Sequence, residues 1–152
     1  MIEKKEVQEI VKNFFSKMGF SNIEMNLANE EDNVIFLDIK TDEPKILIGQ
    51  NGQTLNNIQQ LLKAIIKHKT GFNDFYLNID INDYKKKKVE YLKEMARYFA
   101  DEVSLSKQEK ILEPMSPYER RIIHLELLKR GDIKTESIGK GKERRVVIKP
   151  KF

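Results

Sequence analysis

The chain has 152 residues, of which 39% are hydrophobic and 34% are charged, and its net charge at pH 7 is +4. This length accommodates one ordinary domain or two small ones, and the composition is typical of a soluble, globular protein. The sequence contains no cysteine, which excludes disulfides and thiolate metal sites. It begins without an apolar signal segment and has no apolar run of about 20 residues, so we expect a cytoplasmic protein that does not insert into membranes.

Positive charge is concentrated in the second part of the chain. Residues 1–82 contain 9 lysines and 12 acidic residues, for a net charge of −3, whereas residues 83–152 contain 19 basic and 12 acidic residues, for a net charge of +7. Every arginine lies in the second part. The planar guanidinium suits phosphates and stacked bases, so this asymmetry favours a nucleic-acid surface there, although a solvated charged surface explains it equally well.

The first part predicts a helix, a hairpin, a second helix and a third strand. Apolar residues at helical spacing run from Val7 to Met18 and are followed by Gly19 as a stop signal. The segments SNIEMNLAN and NVIFLDIK predict two antiparallel strands, and we interpret the acidic residues 30–32 between them as an exposed turn. An amphipathic helix follows from about Gln53 to Gly71, and DFYLNIDI predicts the third strand.

The second part predicts the order helix, strand, helix, strand, strand. A long helix is expected from Tyr84, with an inner face formed by Val89, Leu92, Ala96, Phe99 and Val103. The run Lys85–Lys88 lies in its first turn, where the helix dipole disfavours cations, so this run is either an exposed helix start or a phosphate-facing surface. KILEP predicts a short strand, and IKTESI and RRVVIKP predict two more around the turn GKGKE.

The segment MSPYERR predicts the start of the second helix of this part. Ser116 is the expected N-cap, Pro117 the first helical residue and Glu119 the closing residue of a capping box. We expect this helix to end at Gly131. On a helical wheel the predicted inner stripe is Tyr118, Ile122, Leu125 and Leu128. The same wheel places Arg120 and His124 together on an outer face, and it also turns Ile123 and Leu127 outward.

Gly49 and Gly52 lie between an apolar segment, Ile46–Ile48, and the helix predicted from Gln53. A turn before a helix is the commonest meaning of such a pair. Glycines also let a sugar–phosphate backbone approach closely, and the free amides and dipole of a helix start attract phosphate oxygens. KH domains clamp about four nucleotides with such a loop. The spacing matches neither the G-x-x-x-x-G-K-[ST] loop of ATPases nor G-x-G-x-x-G.

Two segments carry a resemblance to a known family. LIGQNGQTLNNIQQL resembles the core of a KH domain, and the order of elements around it resembles the type II arrangement. PMSPYERRIIH resembles the Arg-x-x-x-His domain, which binds single-stranded nucleic acids, with Arg120 and His124 as the named pair. Together, in this order and over nearly the whole chain, they resemble the Jag family of bacterial RNA-binding proteins.

The resemblance implies an α+β chain of two domains. Residues 1–82 would form a type II KH domain, a three-stranded sheet with helices on one face, and residues 83–152 a small α+β Arg-x-x-x-His domain with three short strands and two helices. The implied partners are single-stranded RNA, single-stranded DNA as a second ligand, and a small single-KH protein. No cofactor and no metal are implied. The implied role is post-transcriptional regulation linked to cell envelope growth or division.

The expected RNA-binding residues come from both motifs. In the first domain they are Ile48, Gly49, Gln50, Asn51, Gly52 and Gln53. In the second domain they are Arg120, Arg121, His124, Arg144, Arg145 and Lys149. Leu55 and Ile58 are expected to join Ile48 in an apolar groove for bases. Arg120 would bind a phosphate or stack beneath a base, and His124 would donate to a phosphate.

Two features depart from the family pattern. The family often places a basic residue between the two glycines, whereas Gln50 and Asn51 are neutral, which weakens the attraction of the loop for phosphate. Longer family members carry an additional N-terminal domain. Because this sequence starts almost at the first helix, we expect no membrane or partner role from such a domain.

The sequence favours a binding protein over an enzyme. His68 and His124 are far apart, no nucleophile motif such as G-x-S-x-G occurs, and the acidic residues are scattered beside lysines. Within the binding class, an alternative to RNA binding remains open. The chain could be a protein-interaction adaptor that uses its KH surface for dimerisation or for docking on another protein. The neutral Gln50–Asn51 step favours that alternative.

Overall fold

The computed structural model describes residues 2–30 and 33–152, which divide into one compact unit extending to Lys85 and another beginning at Lys86. The elements of the first unit, in chain order, are α1 (Lys4–Lys17), β1 (Glu24–Glu30), β2 (Val34–Lys40), α2 (Pro44–Ile48), α3 (Gln53–Thr70) and β3 (Tyr76–Ile81). One 3-10 turn, Gln50–Gly52, joins α2 to α3. The predicted order is confirmed, with the short helix α2 in place of an irregular apolar segment.

The sheet of the first unit has the strand order β1-β2-β3. β1 and β2 are antiparallel, with Leu27 opposite Leu37, so the predicted hairpin is confirmed. β2 and β3 are parallel, with Leu37 opposite Ile79, because α2 and α3 form the crossover between them. The acidic residues interpreted as the exposed hairpin turn, Glu31 and Asp32 together with the Glu30 side chain, lie outside the described residues.

Helices α1 and α3 pack on one face of this sheet and form its core. The helical and alternating patterns of the sequence supply the buried side chains, which are Val7, Ile10, Val11, Phe15, Leu27, Ile35, Leu37, Ile39, Leu55, Ile58, Leu62, Ile66, Leu77, Ile79 and Ile81. Burying one such aliphatic side chain stabilises the fold by about 1.5–3 kcal/mol. None of the described helices is long and apolar enough to cross a membrane.

The second unit is built on a helix that begins in the first unit. Its elements are α4 (Tyr84–Ser106), β4 (Lys110–Ile111), α5 (Pro117–Leu127), β5 (Ile133–Ile138) and β6 (Arg145–Pro150). β6 is the central strand of an antiparallel sheet of order β4-β6-β5. The order of elements and the capping box between Ser116 and Glu119 are confirmed.

The predicted inner stripe of α5 is wrong. Ile123 and Leu127 are 0% and 2% exposed, whereas Tyr118, Leu125 and Leu128 are 67%, 57% and 74% exposed, and only Ile122 of the predicted stripe packs against the core. The helix also ends at Leu127 rather than at Gly131. The sheet selects which of two competing apolar stripes faces inward. Arg120 and His124 consequently flank the buried stripe, at the border between α5 and the sheet.

Candidate nucleic-acid interface

Gly49 begins the loop between α2 and α3 and has no room for a side chain. Its backbone has φ 70° and ψ −173°, a combination that essentially only glycine adopts. A Cβ atom at this position would lie 2.1 Å from Thr54 Oγ1 and 2.7 Å from Thr54 Cβ. Glycine is therefore required here by the fold itself, whatever the loop binds.

Gly52 ends the loop and faces inward. It is buried, with φ 77°, and a Cβ atom would lie 3.0 Å from Cε1 of Tyr84, the first residue of α4. Between the two glycines, Gln50 and Asn51 are exposed, and Asn51 adopts a left-handed conformation with φ 53°. The loop thus presents its two amide side chains outward over a buried second glycine.

Several backbone amides of the loop are already paired. The Gly49 N–H donates to the Lys45 carbonyl at 3.0 Å, and the Gly52 N–H donates to the Gly49 carbonyl at 3.4 Å. The Gln53 N–H donates to the Gln50 carbonyl. The expectation that the loop offers these amides to a polynucleotide is therefore wrong for residues 49, 52 and 53. The groups that can reach a ligand are the exposed side chains of the tip and of Gln53.

The expected apolar groove for bases does not include Leu55 or Ile58. These side chains are 1% and 5% exposed and belong to the core, so the prediction for them is wrong. Both lie on the inner face of α3 at the spacing that the sheet buries. Ile48 is half-buried against the same core. The exposed large apolar side chains of α2 and α3 are Ile46 and Leu61.

In the second unit, His124 on α5 is held by two hydroxyl groups of β5. Its Nδ1 lies 2.7 Å from Thr135 Oγ1 and its Nε2 lies 2.8 Å from Ser137 Oγ. Thr135 and Ser137 are paired with Ile148 and Val146 of β6, both fully buried, so the two hydroxyls face the helix-covered side of the sheet. The imidazole therefore ties α5 to the edge strand β5.

The surroundings of His124 favour its neutral form. Burial lowers the pKa of His124 below its ordinary value, and the positive charges of Arg120 and Arg144 lower it further. A neutral imidazole has one donor and one acceptor, which the two hydroxyls can satisfy together. With both ring nitrogens engaged in this way, His124 is placed to orient α5 and β5 rather than to donate to a phosphate.

Met115 brings Arg120 and Arg144 to the same place. Its carbonyl accepts from Arg120 Nη1 at 2.8 Å, and its N–H donates to the Arg144 carbonyl at 3.2 Å. Arg144 Nη1 donates to the Gly139 carbonyl at 2.8 Å. We refer to Arg120, His124 and Arg144 as the arginine–histidine cluster. Arg121, the neighbour of Arg120 on α5, is exposed.

The arginines of the cluster differ from the other arginines in their partners. Arg97 binds Glu126, Arg130 binds Asp101 and Asp132, and Arg145 binds Glu143. Arg120 and Arg144 instead donate to backbone carbonyl oxygens, which carry no formal charge. Two half-buried guanidinium groups therefore keep their positive charge beside a neutral imidazole, an arrangement suited to phosphate oxygens or to the face of a base.

Arg145 and Lys149 are not part of this cluster. They alternate along β6 with the core residues Val146 and Ile148, so their side chains leave the opposite face of the sheet. Lys149 Nζ binds Glu136 Oε2 at 2.8 Å, which raises the pKa of Lys149, and Arg145 binds Glu143. The sequence placed both residues in one patch with Arg120 because it could not show which face each strand residue takes.

Four residues that shape the two sites were missed from the sequence. Thr135 and Ser137 are spaced two apart on a predicted strand, and that alternation is a signal that both face the same side. Thr54 and Tyr84, which border the glycines, carry no comparable signal because their contacts depend on the turn geometry and on tertiary packing.

Comparison with known proteins agrees with both halves of the fold. Residues 4–79 match the family described as KhpA/KhpB, KH domain, and residues 90–150 match the R-three-H domain, which is the Arg-x-x-x-His domain of the sequence analysis. A Clostridium symbiosum protein named RNA-binding protein KhpB is 34% identical over 143 residues, which is 92% of this chain and 63% of that protein. A Bacillus subtilis (strain 168) protein of the same name is 35% identical over 128 residues, 82% of this chain and 60% of that protein.

A Streptococcus pneumoniae (strain D39) protein, also named RNA-binding protein KhpB, is 30% identical over 128 residues, 84% of this chain and 39% of that protein. The chain thus spans from about two fifths to just over three fifths of the length of these relatives. A KH domain followed by an Arg-x-x-x-His domain, together with this similarity over most of its length, places the chain in the KhpB, or Jag, family.

Proposed function

We propose that this chain is a single-stranded RNA-binding protein without enzymatic activity, and that it has a separate binding surface on each unit. The observation that carries the proposal is the pair of guanidinium groups, Arg120 and Arg144, that flank a neutral His124 and donate to carbonyl oxygens rather than to carboxylates. The relatives named RNA-binding protein KhpB, and the match of this chain to the KH and Arg-x-x-x-His domains, support it.

The arginine–histidine cluster would supply the charge-dependent part of binding. Arg120 and Arg144 would donate to phosphate oxygens or stack on bases, and the exposed Arg121 would add a further contact. His124 would hold α5 and β5 together so that the two guanidinium groups keep their spacing. Each phosphate contact on a single strand steepens the dependence of log Kd on log salt by about 0.7.

The glycine loop would supply a second, largely neutral contact. The carboxamides of Gln50 and Asn51 can donate to phosphate oxygens or to base edges, and the N-terminus of α3 favours an anion through its dipole. Because the tip carries no cation, we expect this contact to be weaker and less sensitive to salt than the cluster. The expected recognition is therefore tolerant of RNA sequence.

Fluorescence anisotropy with a labelled single-stranded RNA tests the proposal. We expect micromolar or tighter binding that weakens between about 50 mM and about 200 mM salt. Arg120→Gln and Arg144→Gln should each weaken it about tenfold, whereas the matched control Arg97→Gln, which removes an arginine already paired with Glu126, should change it by less than about twofold. Single-stranded DNA of the same sequence serves as a competitor. Absence of binding, or equal losses in all three variants, would overturn the proposal.

A second candidate function is the adaptor, in which the KH unit docks on another protein. The observation that favours it is a groove of about 460 Å³ between α1 and α3, lined by Ile10, Phe14 and Ile65 with Lys17 and Lys69 beside them. A small single-KH protein is the partner that family resemblance implies. A pull-down repeated after nuclease treatment separates the two functions, because a protein–protein contact survives loss of RNA and an RNA bridge does not.

The cellular role that family resemblance implies is post-transcriptional regulation linked to cell envelope growth or division. Crosslinking in cells, followed by sequencing of the bound RNA, tests it. Enrichment of transcripts for envelope or division proteins would support this role, and an RNA population indistinguishable from total RNA would count against it.

A further inference from the structure

The start of α4 is tied to the segment that leads into the glycine loop. The Thr41 N–H donates to Asn82 Oδ1 at 2.9 Å, and Asn82 Nδ2 donates to the Thr41 carbonyl at 2.9 Å. Thr41 lies between β2 and α2, and α2 continues directly into Gly49. One asparagine carboxamide therefore holds the entrance to the helix–loop segment at both a donor and an acceptor of the main chain.

The same turn supports the other end of the loop. Two residues after Asn82, the Tyr84 ring lies against Gly52, and Cε1, Oη and Cζ are 3.0, 3.3 and 3.5 Å from where a Cβ would stand. Tyr84 packs against the core of the first unit. The loop Gly49–Gly52 is thus bounded by Thr41 before it and by the Tyr84 ring at its end, and both contacts come from residues 82–84.

Further hydrogen bonds hold this turn in an unusual conformation. Asn82 and Asp83 are consecutive left-handed residues, with φ 49° and 58°. The buried carboxylate of Asp80 accepts from the Lys85 N–H at 2.9 Å, and Lys85 Nζ donates to Gln59 Oε1 on α3 at 2.9 Å. Non-glycine residues remain left-handed only where their surroundings fix them, and here four separate bonds do so.

We propose that Asn82 and Tyr84 act as a clamp that fixes the conformation of the glycine loop and thereby sets its affinity for RNA. The affinity half of this proposal rests on the proposed function. A loop with two glycines loses much conformational freedom when it binds, and a loop already held at both ends loses less, so it binds more tightly. Asn82 and Tyr84 are positioning residues, because they act on the ligand only through the loop.

The first test measures the loop without RNA, in the full chain. Backbone order parameters from ¹⁵N relaxation should be near 0.85 at residues 50–53 in the wild type and should fall toward about 0.6 in Asn82→Gly. Glycine keeps the left-handed conformation and removes only the carboxamide. The matched control is Asn33→Gly, the same change at another left-handed asparagine, with φ 59°, in the β1–β2 turn. Equal order parameters in the two variants would overturn the proposal.

The second test examines the ring of Tyr84. Tyr84→Ala should lower the order parameters of residues 50–53 and weaken single-stranded RNA binding about fivefold. Tyr84→Phe, which retains the ring carbons nearest Gly52, should restore both. Tyr91→Ala is the matched control, because Tyr91 is 60% exposed on the same helix. If Tyr84→Ala unfolds the chain, Asn82→Gly still decides the question.

The outcomes separate the clamp from the proposed function. If the wild type binds no RNA, the proposed function fails, and the clamp is then supported or overturned by the order parameters alone. If RNA binds but Asn82→Gly and Tyr84→Ala leave its affinity unchanged while the loop becomes mobile, the clamp does not set affinity and that half of the proposal is overturned.

Discussion

The glycine loop and the arginine–histidine cluster solve the same problem with opposite means. The loop is neutral, and its shape depends on two backbone positions pressed against Thr54 and Tyr84. The cluster is charged, and its shape depends on side chains bound to hydroxyl and carbonyl groups of neighbouring elements. The loop should therefore be sensitive to a single added methyl group and nearly indifferent to salt, whereas the cluster should show the reverse behaviour.

The largest expected effect is at the loop. Gly49→Ala should lower the free energy of unfolding by about 3 kcal/mol, because the added methyl group overlaps Thr54 and the backbone is in a region that alanine avoids. Gly71→Ala is the matched control. Gly71 has a similar φ of 69° but open space around the missing Cβ, so it should cost about 1 kcal/mol. Urea unfolding measures both, and equal losses would show that no close contact exists at Gly49.

The next effect is at the cluster. Thr135→Val should destabilise the chain by about 1–2 kcal/mol, because it leaves one nitrogen of the half-buried His124 without its hydroxyl partner. Thr135→Ser keeps the hydroxyl and should cost much less. Urea unfolding again provides the measurement. If valine and serine give the same stability, the contact between Thr135 and His124 contributes nothing to the fold.

A charge added at the loop tip should make the loop behave more like the cluster. Gln50→Lys should tighten single-stranded RNA binding about threefold and steepen the salt dependence by about 0.7 log units per log unit of salt. Gln50→Asp should weaken binding by a similar factor. Both changes are at an exposed position, so urea unfolding should be unaffected. Anisotropy that does not respond to the sign of the charge would place the loop outside the RNA-binding surface.

The smallest expected effect is a pH dependence of stability. The pKa of His124 is lower in the folded chain than its ordinary value of 6.5, so the unfolded chain takes up a proton first as pH falls. Its contribution to stability should be fully present above about pH 6.5 and should be lost as pH falls through the lower pKa of the folded state. Solvent near the half-buried ring keeps the effect small. Urea unfolding of the wild type and of His124→Asn between about pH 7.5 and about pH 5 measures it, and parallel curves would contradict it.

The contrast between the two regions also explains what could be predicted from the sequence. The glycine spacing, the capping box at Ser116 and the Arg120–His124 pair are local patterns, and they were sufficient to recognise both domains. Local patterns could not decide between the two apolar stripes of α5, because Ile123 and Leu127 compete with Tyr118 and Leu125 on a helix of only 11 residues. The sheet makes that choice, and it also separates Arg145 and Lys149 from the cluster.

The loop illustrates the same limit. The sequence indicated where glycine was needed but not that Gly52 faces inward, because the Tyr84 ring that covers it is 32 positions away. The assignment of Leu55 and Ile58 to a base-binding groove failed for a related reason. An apolar side chain near a functional loop can belong to the groove or to the core, and only the position of the sheet decides which.

The most direct measurement is the salt dependence of single-stranded RNA affinity for the wild type and for the double variant Arg120→Gln, Arg144→Gln. If the cluster binds two phosphates, the slope of log Kd against log salt should fall by about 1.4 in the double variant while urea unfolding stays close to wild type. A slope that is unchanged, or a wild type that does not bind single-stranded RNA, would contradict the account.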